Sequence, residues 1–449
     1  MTRISRRGFL VGCSAAIAAM AGARLNFIAF GRPEGEVNQD ILLYVFLRGG
    51  YDGLNLMMPI AGTDRAYYEA ARPSIKVPAN EALMLNSQFG LHPSFAPIYE
   101  LFQANHVAFI HAAGLTTDTR SHFDAQQFIE LGTPGSKATT TGWLTRHLQS
   151  APNLPEGVLM PSLAASDLTP ISLQGDFGAA VINSVSNFSY NRGPSTWRNA
   201  QRVALRAMYT GNSWLHHAGI QTLDTLDIVE AADPGNYEPA NGAVYPGGNF
   251  GNQLKIIAQM IKLQMGLRVA AIDLGGWDTH DSQGDGSGGY FSSLLSELAT
   301  GLNAFYIDMD GAGNQNYTQR LTIVVMSEFG RRLRENANRG TDHGHGSLMF
   351  ALGGNVNGGV YGDWPGLRND QLYDGADLAV TTDYRRILSE ILIRRLGNPY
   401  LGTVFPGYTG YAPLDIVQGE DLPPIVPTPT PTPPPPAQTQ NAYLPFVQR

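Results

Sequence analysis

Cysteine is almost absent: Cys13 is the only one in 449 residues. It lies in an N-terminal segment expected to be removed. The working chain therefore has no disulfide, no thiolate metal ligand and no thiol nucleophile. Lysine is nearly as scarce, with Lys76, Lys137, Lys255 and Lys262 among 30 basic residues against 38 acidic ones. The net charge is −8, and no basic stripe of the kind nucleic acid requires is present, which excludes a nucleic-acid partner. Also missing are a P-loop, a dinucleotide fingerprint and a G-x-S-x-G elbow.

What is present begins with an address. Ser5-Arg6-Arg7-Gly8-Phe9-Leu10 has the twin-arginine pattern, and a weakly apolar Ala/Gly run leads to the small-residue triplet Ala21-Gly22-Ala23. Residues 1–23 thus read as a twin-arginine signal peptide, too short and too weakly apolar to span a membrane. Removing them takes away three arginines and no acids, leaving a charge of −11. The expected protein is exported, with the twin-arginine machinery as a partner, and is secreted or held at the cell surface.

From residue 24 to 420 short apolar runs alternate with helix-like segments. The runs are ILLYVFL (41–47), HVAFIHAAG (106–114), RVAAIDLGG (268–276), LTIVVMSEFG (321–330) and LMFALGG (348–354). Continuous apolar strands between helices predict an α/β fold with a mostly parallel sheet sandwiched by helices. Ligands in such folds gather at the carboxyl ends of strands. Asp233 to Asn252 reads as a long loop or insertion. Residues 421–449 hold PPIVPTPTPTPPPP and end in NAYLPFVQR, which reads as a disordered Pro/Thr-rich tail able to serve surface attachment.

The chemistry-bearing residues sit beyond those runs. GTDHGHG (340–346) gathers Asp342, His343 and His345, and GGWDTH (275–280) supplies Asp278 and His280. Carboxylates and imidazoles in glycine-rich loops suit a zinc, manganese or similar divalent ion. Asp52 follows the first run, where an Asp-Gly is either a turn or a ligand. Glu328 ends the strand LTIVVMS and needs a partner, either a metal or an arginine. Ser121, with Asp124 three residues on, has the form of a capping box. The same hydroxyl at a helix N-terminus, beside His122, could also act as a nucleophile. Arg48, Arg120 and Arg331 are candidate anion holders. His92 and His111 read as structural. Asp308-x-Asp310-Gly311 has half the pattern of a calcium loop, but the closing glutamate is missing.

FLRGGYDGLN, FGLHP, RSHFDAQ, TGWLTR, GGWDTH, SEFGRR, GTDHGHG, YGDWPGL and TTDYRRIL occur in that order between Leu42 and Gly397. In this the chain resembles the domain of unknown function 1501 family, grouped with the alkaline phosphatase and sulfatase superfamily. The resemblance implies an alkaline-phosphatase-like fold and a two-metal hydrolase of phosphate or sulfate esters. On it, Asp52 matches an early metal ligand and Ser121 the nucleophile. Asp278 and His280 look like first-metal ligands, at a tighter spacing than usual, and His343 like the late histidine. The departure is Glu328-Phe329, which stands where the superfamily places Asp-His. That costs the second metal an imidazole unless His345 or His122 replaces it. With no cysteine after Cys13, formylglycine chemistry is excluded.

The expectation is an exported, metal-dependent hydrolase of anionic small-molecule or polymer esters, with one or two ions and a hydroxyl or water nucleophile. The alternative is a non-catalytic surface or binding protein that keeps the fold and at most one structural metal.

Overall fold

The run ILLYVFL is apolar throughout because both of its faces are buried. Ile41, Leu43, Val45 and Leu47 point into one hydrophobic core, and Leu42, Tyr44 and Phe46 into another. Two covered faces remove the need for a polar alternation, so the strand is legible only as a continuous run. The computed structural model describes residues 39–154, 158, 160–176, 178–184, 194–231 and 237–425. The expected signal peptide, 1–23, and the tail from 426 onward lie outside these residues. Residues 421–425, expected in the tail, lie along the body: the Tyr411 hydroxyl donates to Asp421 at 2.5 Å, and the Ile425 amide donates to Pro399 at 2.7 Å.

In chain order the strands are β1 Ile41–Leu47, β2 Met57–Pro59, β3 Leu83–Met84, β4 Phe89–Leu91, β5 Val107–Gly114, β6 Ser162–Ala164 and β7 Ala180–Val181. They continue with β8 Val269–Leu274, β9 Leu321–Ser327, β10 Arg331–Glu335, β11 Thr341–His343, β12 Ser347–Leu352, β13 Gly359–Tyr361 and β14 Thr382–Asp383. The main sheet runs β13-β5-β12-β9-β1-β8-β6-β7, with β14 also on β5. Its pairings are parallel except where β12 lies antiparallel between β5 and β9. The expected mostly parallel, helix-sandwiched α/β sheet is the observed one. Its antiparallel member was not foreseen, because an apolar run carries no sign of direction.

One face is covered by the helices Ala96–Gln103, Asn249–Lys262 and Tyr290–Met309, through residues such as Ile98, Leu254, Ile257, Leu298 and Phe305. The other is covered by His122–Leu131, Trp143–Ser150, Tyr384–Arg394 and Leu401–Val404, through Ile129, Trp143, Ile391 and Val404. The expected insertion at 233–252 includes a helical turn at Ala240–Gly242, and the next helix already starts at Asn249. Asp308 explains why that loop holds its place. It is fully buried and accepts from Tyr237 at 2.6 Å, from the Ala240 amide at 2.6 Å, from Tyr245 at 2.7 Å, and from Lys262. The half calcium motif is thus an anchor for the loop.

Two small elements complete the arrangement. β2, β4 and β3 form an antiparallel sheet, and β10 and β11 form a hairpin in which Arg331 stands opposite His343. That hairpin leaves the carboxyl end of β9 and folds back over the ends of β1 and β8.

Candidate metal centre

β1, β8 and β9 are parallel neighbours, so their carboxyl ends open on the same edge of the sheet. The loop after β8 carries Asp278 and His280, Glu328 directly follows β9, and β11 returns His343 to the same place. From the other side the helix His122–Leu131 points its first turn at them. Close approach of these loops requires glycine at one position in particular. A Cβ on Gly49, whose φ is +127°, would lie 2.5 Å from the Asp278 amide nitrogen.

Three imidazoles meet at one carboxylate oxygen. Nε2 of His280 and of His343 each lie 3.1 Å from Oδ1 of Asp278, and Nε2 of His122 lies 3.3 Å from it. The Nε2 atoms of His280 and His343 are 2.8 Å apart. His122, Asp278 and His343 together have the spacing of a metal-ligand set. All four side chains are partly open to solvent, so the centre can be reached from outside.

The far side of each ring decides what faces inward. His122 Nδ1 lies 2.7 Å from Glu328 Oε1, His280 Nδ1 3.2 Å from Asp342 Oδ1, and His343 Nδ1 2.8 Å from the Arg120 carbonyl. Carboxylate and carbonyl oxygens only accept, so each Nδ1 carries the proton and donates it. In a neutral ring the lone pair then sits on Nε2, pointing at Asp278. Lone pairs facing each other at 2.8 Å repel unless a proton or a cation lies between them. Donor atoms bound at zinc distances around a tetrahedral ion stand about 3.3 Å apart. His122, Asp278 and His343, each imidazole with its Nδ1 anchored, thus fit a single divalent ion in type and spacing, and His280 Nε2 stands beside them, 2.8 Å from His343 Nε2.

The electrostatics agree with that division of labour. The hydrogen bond that His122 donates to Glu328 raises the His122 pKa against its partial burial, whereas burial lowers that of His343. Partial burial pushes Asp278 upward. The bond and charge of Arg331, with His343 and His122, outweigh it and bring Asp278 down to about 2. Burial likewise opposes ionisation of Glu328, but hydrogen bonds from His122, Gln126 and Ser327 hold its pKa below the usual carboxylate value.

The expected site residues divide clearly. Asp278, His280 and His343 come together as expected. His122, expected as catalytic beside Ser121, lies with them, its Nε2 3.3 Å from Asp278 Oδ1. Glu328 and Asp342, expected as metal ligands, orient His122 and His280 from behind. Glu328 is fully buried, accepting also from the Gly49 amide at 2.9 Å and from Gln126 Nε2 at 2.7 Å. Asp52 is not brought into the cluster: its Oδ2 accepts from Arg72 at 2.6 Å and from Gln283 at 2.7 Å, all three buried. The Arg72 guanidinium thus stands as that carboxylate's counter-ion. His345 is also elsewhere, stacked on Tyr373 with ring centroids 4.1 Å apart. Ser121 caps its helix, its Oγ accepting from the Asp124 amide at 3.4 Å, and stands between Arg120 and His122, which both contact the cluster.

The arginines are all engaged. Arg331, fully buried, donates to Asp278 Oδ1 at 2.6 Å, to the Thr341 carbonyl at 2.7 Å and to the carbonyls of Gly49 and Gly50. Arg48 pairs with Glu130 at 2.7 Å and Asp273 at 3.0 Å. Arg120 pairs with Asp377 at 2.5 Å and Asp374 at 3.1 Å. None of the three is left as an unpaired cation for an anion.

Phe329 packs against two of the imidazoles. Its buried ring lies 4.8 Å from His122 and 4.9 Å from His343, centroid to centroid, and forms an apolar wall behind both imidazoles. Among the described residues a single cluster has the spacing to hold a metal. Sequence reasoning missed Gln126 and Asn336. Gln126 lies four residues after His122, on the same helix face, and that spacing was a usable signal. Asn336 donates to the His280 carbonyl at 2.8 Å and to Asp342 at 3.1 Å from the β10–β11 turn, which no local pattern announced.

Five of the nine ordered motifs, from GGWDTH to TTDYRRIL, fall in the segment that also supplies Asp278, His280, Glu328 and His343. Residues 224–396 match the family described as protein of unknown function, DUF1501. The DUF1501 segment thus carries most of the centre, while His122 comes from outside it. No curated protein matches the chain. Among solved structures it is similar to the lipoteichoic acid synthase LtaP from Listeria monocytogenes, at 10% identity, TM-score 0.30, with 91% of this chain and 81% of that chain covered. A second is an alkaline phosphatase superfamily protein from Vibrio parahaemolyticus, at 8% identity, TM-score 0.29, covering 79% and 71%. A third is the PsFucS1 sulfatase from a Pseudoalteromonas species, at 12% identity, TM-score 0.30, covering 80% and 68%.

Proposed function

We propose that the chain is a metal-dependent hydrolase of phosphate-type esters, sulfate esters being the lesser candidates, with one ion held by His122, Asp278, His280 and His343. The observation that carries this reading is the convergence of three Nε2 atoms on Asp278 Oδ1 with every Nδ1 anchored to an acceptor. Zinc suits the imidazole-rich donor set better than manganese, which favours oxygen ligands. When bound, such an ion supplies positive charge that polarises an ester oxygen and acidifies a nearby hydroxyl or water.

The chain's own residues set the conditions. Glu328, Asp342 and the Arg120 carbonyl fix the ring orientations, Arg331 keeps Asp278 ionised, and Phe329 keeps water from behind the imidazoles. Ser121 is the available hydroxyl, at a helix N-terminus where a developing anion is favoured. Metal analysis of the purified protein, with a phosphatase, phosphodiesterase and sulfatase panel, tests the proposal. Close to one equivalent of metal, with turnover lost in His343→Ala, is the expected result.

A second reading is favoured by one observation: Arg48, Arg120 and Arg331 are all committed to acids or carbonyls. On that reading the protein is a non-catalytic surface or binding protein with one structural ion. One equivalent of metal without turnover on any ester in the panel would support it. We also propose export by the twin-arginine route. Replacing Arg6 and Arg7 by lysine in the full chain should leave it in the cytoplasm, and unchanged export would refute that route.

A further inference from the structure

We propose that the chain holds a second ligand site, for a small carboxylate with an apolar body, in a cavity at the opposite end of the sheet from the metal centre. The cavity has a volume of about 320 Å³ and is lined by Arg268 and Thr145, with Asp176 at its wall and Leu148, Val158 and Pro161 supplying apolar surface. Arg268 immediately precedes β8, whereas Asp278 lies beyond its far end. Six strand residues, about 20 Å, separate the two ends of β8.

The case rests on a guanidinium with no counter-ion among the described residues. Arg268 is only 6% exposed, yet its one side-chain hydrogen bond is a 3.4 Å contact from Nη1 to its neighbour's carbonyl, Leu267. Its Nε has no partner. The acid on the same cavity makes no ion pair with Arg268: Asp176 accepts from Ser162 Oγ at 2.5 Å and from the Gly178 amide at 2.9 Å. Asp40, which acts on Arg268 through space, is bonded to Arg395 at 2.9 Å. Burial, and then the charge of Arg320, lower the Arg268 pKa to about 10, so the group remains a cation. Thr145 adds a second open partner: it is 1% exposed and its Oγ1 is unbonded.

A buried, unpaired cation destabilises a fold, and leucine or methionine would fill the same place at less cost. Unpaired polar groups turned into a cavity are what a ligand's own polar atoms complete. One guanidinium and one hydroxyl on a partly apolar wall suit a monoanionic carboxylate. A multiply charged phosphate would call for more cations. The volume lies at the small end of ligand pockets, which limits the apolar body to a short chain or a single ring.

The test uses the full chain, with octanoate as the probe and octanamide as its uncharged counterpart, read by calorimetry and by thermal shift. Octanoate should bind with one-to-one stoichiometry and raise Tm, octanamide should do neither, and Arg268→Gln should weaken octanoate at least tenfold. Without ligand, Arg268→Gln should match or exceed the parent in Tm, since it removes an unpaired charge. Should that variant fail to fold, Thr145→Val and the cavity-filling Leu148→Trp replace it, both expected to abolish the octanoate response with metal content unchanged. Equal binding of octanamide, octanoate binding that survives these substitutions, or no octanoate binding by the parent would overturn the proposal.

Discussion

His122 Nδ1 donates to Glu328 Oε1 across 2.7 Å, from the first turn of one helix to the residue directly after β9. The bond fixes the tautomer of His122 and turns its Nε2 toward Asp278. It also gives the fully buried Glu328 a partner that is not a metal. Weakening that acceptor should therefore act on the centre without dismantling it. Glu328→Gln is expected to lower metal affinity about 10- to 100-fold, measured by competition with a chelating dye, while the circular dichroism spectrum stays that of the parent. An unchanged affinity would show that the bond does not orient a ligand.

Arg331 is the structural cation of the centre. It is fully buried and donates to Asp278 and to four backbone carbonyls, those of Gly49, Gly50, Trp277 and Thr341. Lysine carries the charge but cannot reach this fan of acceptors. Arg331→Lys should cost roughly 3 kcal/mol of stability, because buried acceptors lose their donors. Denaturant unfolding of the metal-free protein reads this directly, and a loss below 1 kcal/mol would place the guanidinium's role elsewhere.

Ser121 caps its helix and is the proposed nucleophile, and one substitution separates the two roles. As a cap alone, Ser121→Ala should cost about 1 kcal/mol and leave turnover near that of the parent. As nucleophile and cap it should lose the same stability and all turnover, with metal content intact. The second outcome is the expected one, and aryl phosphate hydrolysis at the parental rate would sink it.

Acid stability should report a buried histidine outside the candidate metal centre. Asn398 Nδ2 donates to His147 Nδ1 at 3.0 Å, so the ring is held neutral, and burial lowers its pKa to about 3. An unfolded histidine titrates near 6.5, so between those values the unfolded state binds the extra proton. The contribution is complete above pH 6.5 and is lost as pH falls from there toward 3, at up to about 1.4 kcal/mol per pH unit. His147→Gln should flatten that part of the stability curve. A slope equal to the parent's would assign the acid sensitivity to other groups.

Removing the proposed ion should loosen the edge of the sheet at His122, Asp278 and His343. Metal-free protein should melt lower than protein with zinc restored, with Tm rising as free zinc exceeds its dissociation constant. His280→Ala and His343→Ala should each remove most of that rise. A zinc-independent Tm in the parent would count against the centre.

The layers of the fold were legible because burial on both faces writes itself as continuous apolar runs. ILLYVFL and LTIVVMS became strands at the expected places, and the periodic stretch Tyr290 to Met309 became one helix. The direction of β12 was not legible, since SLMFAL reads the same beside a parallel or an antiparallel neighbour. Nor were the short strands β6 and β7 or the helix Ser195–Met208, where the apolar signal is brief or mixed.

For the centre, the sequence by itself determined the chemistry on offer: no thiolate, few lysines, and carboxylates with imidazoles in glycine-rich loops past buried strands. Asp278, His280 and His343 follow from that, because a loop at a strand's carboxyl end has few other places to go. Whether Glu328 and Asp342 would hold a metal or hold a histidine, and whether Asp52 would face Asp278 or Arg72, was decided only by the tertiary structure. Those choices depend on distances of 2.6 to 3.3 Å between segments far apart in the chain, and residue type alone does not set which oxygen meets which nitrogen.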